Sequence, residues 1–152
     1  MTSYGIRALV WALTVLTVCG IAMVRGGRYE RLASGAMLAA WALTMVVYRA
    51  GFRETEWGIL LVDLAALAAF VWIALKSSRY WPLLAAGFQL LAIVTHMART
   101  VDHQVGAWAY LTAEILWGYL LAFAIGYGAW TARDAHPDSA ATPDTPPGAT
   151  RR

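Results

Sequence analysis

The chain has one cysteine, Cys19, and one lysine, Lys76, and only 14% of its 152 residues are charged. A lone cysteine excludes an intramolecular disulfide, and no CxxC or zinc-type pattern accompanies it. Val18 is too large for the position before the cysteine of a lipoprotein cleavage box, so "LTVC" (Leu16 to Cys19) does not predict lipidation. No Walker, GxGxxG or GxSxG motif occurs, which leaves nucleotide-binding and serine-hydrolase readings without residues. The net charge is +3, yet the arginines form no basic stripe along a folded face, so no nucleic-acid partner is expected. Scarce lysine beside abundant alanine and arginine points to a GC-rich bacterial coding sequence.

What the chain has is apolar length. It is 60% hydrophobic, with a mean hydropathy of +0.54, whereas soluble domains are about 45–50% apolar and about 25% charged. Five apolar segments follow one another: Tyr4 to Val24, Leu32 to Tyr48, Trp57 to Leu75, Tyr80 to Met97 and Ala107 to Trp130. Each is near the roughly 20 residues that cross a bilayer core as a helix. The runs are continuous rather than alternating, and a waterless core obliges backbone groups to pair within each segment, so helices are predicted and strands are not. The first segment has no small-x-small cleavage site before Arg25 and reads as a retained helix, not a signal peptide.

The expected fold is therefore all-α, an integral membrane bundle of five transmembrane helices over residues 1–131. The links "RGGRYER", "RAGFRETE", "KSSR" and "RTVDHQVG" are short, which makes successive helices antiparallel neighbours. Pro82 suits the first turn of the fourth helix. Residues 132–152 are rich in Pro, Ala, Thr and Asp and predict a disordered polar tail. Arg25, Arg28, Arg31, Lys76, Arg79 and Arg133 fall on one side, against Arg7, Arg49, Arg53 and Arg99 on the other. That bias predicts the N-terminus outside and the C-terminus in the cytoplasm of a bacterial inner membrane. Trp57, Trp81, Trp108 and Trp130 lie at segment ends, where an aromatic belt belongs.

Ionisable residues inside such helices are costly and need a reason. Asp63 lies seven residues past Glu56 and Glu114 seven past Ala107, so each sits roughly 10 Å below the same membrane surface. His96 approaches that surface from the opposite direction. Gln89 precedes His96 by seven residues, a spacing that leaves the two only about 20° apart around a helix. The candidate polar cluster is Asp63, Gln89, His96, Arg99 and Glu114, with Arg49 or Tyr110 as possible additions. It suits proton relay, cation binding or capture of a polar headgroup. The structural alternative is that Asp63 and Glu114 pair with Arg or His across helices and only fix packing. No HxxxH or ExxH spacing supports a metal, and His96 and His103 share one helix line and cannot grip opposite faces of a haem, so no cofactor is expected. Asp102, His103, Glu54, Glu56 and His136 read as loop, surface or tail residues. Glu114, Gly118, Ala122 and Gly126 recur every four residues and predict close helix approach, including self-association or contact with other membrane proteins through Gly118, Ala122 and Gly126.

Through "YWPLLAAGFQLLAIVTH" and "GAWAYLTAEILW", and in the five-helix layout of residues 5–131, the chain resembles small uncharacterised inner-membrane proteins of proteobacteria. That resemblance implies a multi-pass inner-membrane protein and transfers no activity. The expected role is a non-enzymatic accessory or interaction protein embedded in the lipid bilayer. The alternatives are a small carrier or proton-coupled protein using Asp63, His96 and Glu114, or a subunit binding a quinone or lipid headgroup near His96 and Arg99.

Overall fold

The computed structural model describes residues 3–49, 55–101 and 106–132. Among them the chain is all-helical: α1 (Ser3–Arg25), α2 (Arg28–Arg49), α3 (Thr55–Lys76), α4 (Trp81–Val101) and α5 (Ala107–Thr131). The stretches Arg28–Val47, Trp57–Lys76, Trp81–Ala98 and Trp108–Thr131 are each long and apolar enough to cross a membrane. The apolar part of α1, Leu9–Arg25, is shorter than these four. Residues 133–152 of the expected tail lie outside the described residues, as do Glu54, Asp102, His103 and His136.

The helices form a ring. Helix α1 packs on α2 and α5, α2 on α3, α3 on α4 and α4 on α5, with α2 and α5 also touching across it. Short links make the successive pairs antiparallel. The pair that closes the ring, α1 and α5, is parallel: Trp11 stands beside Gly118 and Val18 beside Gly126.

Side-chain size is sorted from inside to outside. The buried set includes Val15, Cys19, Ala22, Ala33, Ala66, Ala85, Ala122, Ala124 and Ala129, beside Phe70, Ile73 and Trp81. Large apolar residues face outward, among them Leu13, Leu61, Leu75, Val94 and Phe123. Water would make so much outward apolar surface unfavourable. Lipid does not, and small residues then go inside because helix packing depends on close van der Waals contact.

The expected stripe of small residues is used within the chain. A Cβ on Gly118 would stand 3.0 Å from Trp11 Nε1 and one on Gly126 3.2 Å from Val18 Cγ1, while Ala122 is buried. Helix α1 therefore covers Gly118, Ala122 and Gly126. A four-residue step overshoots one helical turn by about 40°, so the stripe winds toward α1, while Glu114 at its start reaches α4 instead.

Two sequence expectations are corrected at the opposite end of the bundle. Helix α2 starts at Arg28, not Leu32, and the link to α1 shrinks to Gly26 and Gly27. The turn requires Gly26, whose added Cβ would meet Ala22 O at 2.4 Å and Glu30 Cβ at 2.5 Å. Trp57, Trp108 and Trp130 are exposed at helix ends, as a belt requires, but Trp81 is only 2% exposed. Its indole lies over Gly128 of α5, where a Cβ would come within 2.6 Å of the ring. Pro82 is the second residue of α4, as expected, and Tyr80 O accepts from Leu83 N–H at 3.1 Å to start the first turn.

Candidate functional site

Helices α3, α4 and α5 bring the sequence-predicted polar residues together. Gln89 and His96 are buried on the inner line of α4, at 6% and 8% exposure. The Gln89 amide donates to Asp63 Oδ1 at 3.1 Å and lies 3.4 Å from the Asp63 carbonyl. Asp63 thus arrives oriented, with Oδ2 presented to His96 Nε2 at 3.1 Å. Glu114 Oε2 lies 3.8 Å from the same nitrogen. On the other side of the ring, His96 Nδ1 is 2.8 Å from the Tyr110 hydroxyl, and the two rings meet edge to face.

One imidazole nitrogen therefore faces two carboxylates and the other faces a phenol. With the proton on Nε2 it is donated toward Asp63, and Nδ1 accepts from Tyr110. With both nitrogens protonated, the phenol oxygen becomes the acceptor. The arrangement accommodates neutral and cationic His96 without moving a heavy atom. Glu114 Oε1 is buried and has no hydrogen-bond partner among the described residues. With both acids ionised and His96 neutral, the trio carries two negative charges within apolar helices, and one added proton halves that burden. This is chemistry suited to binding and releasing a proton.

The side chains of Arg99, Arg49 and Glu56 lie outside the described residues. Tyr110, named in the sequence as a possible addition, is a direct partner of His96. Among the described residues no group of three His, Cys, Asp or Glu side chains is arranged to hold a metal ion. One turn deeper, Trp117 Nε1 donates to Thr95 Oγ at 3.0 Å, pinning α4 to α5 below the centre.

A second polar node was not anticipated. Glu30 is 3% exposed near the start of α2. Its Oε1 accepts from Arg79 at 3.1 Å and from Trp81 Nε1 at 3.1 Å. Arg79 also donates to Thr131 Oγ, at the end of α5. The node ties α2, the α3–α4 link, α4 and α5 at the end remote from the polar centre. Trp81 and His96 are fifteen residues apart on α4, about 22 Å along the axis. A signal for it exists in the sequence: Glu30 stands at helical spacing to Ala33, Ser34 and Met37, the buried face of α2. Comparison of the chain with protein-family models, curated proteins and solved structures gives no match.

Proposed function

We propose that the chain is a small proton-coupled carrier of the bacterial inner membrane, with Asp63, His96 and Glu114 as the groups that take up and release the proton. The observation that carries this reading is a single nitrogen, His96 Nε2, facing Asp63 at 3.1 Å and Glu114 at 3.8 Å within membrane-length helices. Gln89 positions Asp63, and Tyr110 adapts to either state of the imidazole.

In this reading α1 is the fifth span. Its 23 residues reach about 34 Å, enough for the hydrocarbon core. The arginine bias places the N-terminus outside, which sets the polar centre in the outer half of the bilayer.

An accessory role in a larger assembly is the other reading. It needs an uncovered contact face, and the best sequence candidate, Gly118, Ala122 and Gly126, is covered by α1. The remaining outward faces carry Leu, Val and Phe, which suit lipid.

Vesicles holding the purified full chain and a trapped pH dye test the carrier reading. Wild-type vesicles are expected to relax an imposed pH gradient faster than empty ones. Glu114→Gln and His96→Leu are expected to return the rate to that of empty vesicles. A wild-type rate equal to the empty rate sinks proton passage through this centre without a co-transported solute, and an unchanged carboxyl spectrum across a pH jump would sink proton uptake by it altogether.

A further inference from the structure

We propose that the groove where α1 passes into α2 binds the phosphate of an anionic phospholipid headgroup. The groove has a volume of about 540 Å³ and is lined by Met23, Gly27, Arg28, Arg31 and Leu32. It lies where the apolar stretches of α1 and α2 both end, the level at which headgroup phosphates sit.

Its chemistry is divided as a phospholipid is divided. Arg28 and Arg31 are exposed and supply two guanidinium groups, while Met23 and Leu32 supply apolar wall at 44% and 43% exposure. Arg31 is held in place: its Nε donates to Gly26 O at 3.1 Å, leaving the terminal nitrogens for an anion. Guanidinium groups match phosphate oxygens in charge and geometry. The acid between the two arginines in sequence does not neutralise them, because Glu30 turns inward onto Arg79 and Trp81. Neither Arg28 nor Arg31 has an acidic partner within 4.0 Å among the described residues.

The full chain is reconstituted in vesicles of equal phosphatidylglycerol and phosphatidylcholine, extracted gently, and its co-purified lipid measured by native mass spectrometry. Wild type is expected to retain phosphatidylglycerol in preference. Each of Arg28→Gln and Arg31→Gln is expected to reduce that preference about ten-fold or more, the effect of losing a hydrogen-bonded guanidinium–phosphate contact. Arg25→Gln, an exposed arginine outside the groove, is expected to leave it unchanged. Equal loss in Arg25→Gln means diffuse attraction and overturns the site. Displacement of the lipid by inorganic phosphate makes free phosphate the ligand and overturns the lipid assignment. No preference in wild type also overturns it. If a preference then appears on changing Asp134, Asp138 and Asp144 to Asn, the occupant is the chain's own tail.

Discussion

Replacing Glu30 by alanine is expected to destabilise the bundle by about 3 kcal/mol, the low end of the range for breaking a buried ion pair. The cost comes from what is left behind. Arg79 loses its counter-charge, and Trp81 Nε1, inside the protein, loses its acceptor. Arg79 is 28% exposed at its side chain, so water takes up part of the loss and holds the figure at that low end. Glu30→Gln keeps an acceptor for Trp81 and gives up only the charge, so about half the effect is expected. The double variant Glu30→Ala, Arg79→Ala is expected to be more stable than the sum of the two singles, because no orphaned charge remains. Reversible denaturation of the detergent-solubilised chain measures the wild type and all four variants, the single Arg79→Ala included. Full additivity would mean that Glu30 and Arg79 do not act on each other.

His96→Leu is expected to cost about 2–4 kcal/mol and to abolish proton exchange. Leucine fills most of the volume, so the loss is electrostatic. Asp63 keeps the Gln89 amide, but Glu114 loses the one polar contact described for its carboxylate. Adding Glu114→Gln to His96→Leu removes the orphaned charge and is expected to recover about 1–2 kcal/mol. Recovery of stability without recovery of proton exchange separates the packing role of these residues from their chemistry. If His96→Leu melts like the double variant, Glu114 is not coupled to His96.

The polar centre was readable because long apolar helices obey simple geometry. A fixed rise sets depth, alternating direction sets the shared end, and the seven-residue spacing of Gln89 and His96 sets a common face. Asp63, His96 and Glu114 converge as those rules imply. Glu30, Arg79 and Trp81 escaped the same rules because each had a sufficient surface explanation: a link residue, a topology charge and a belt tryptophan. The helical spacing of Glu30 to Ala33, Ser34 and Met37 marks an inward face, but its partners Arg79 and Trp81 are met by long-range contact, which has no period in the sequence. The stripe of Gly118, Ala122 and Gly126 correctly signalled close helix packing. It could not say that the partner is α1, the helix farthest from α5 in the chain. The sorting of alanine inward and leucine outward was likewise hidden, since α3 and α5 are apolar on every side and offer no polar face from which to read an orientation.

In the proposed function Asp63, His96 and Glu114 act as one proton-binding unit, which infrared difference spectroscopy of the chain in bilayers, recorded across a pH jump, can observe. A carboxylic-acid band is expected in the wild type, to disappear in Glu114→Gln, and to shift in Asp63→Asn and in His96→Leu, because each acid senses the same imidazole. A carboxyl spectrum that is identical in wild type and all three variants would contradict the claim.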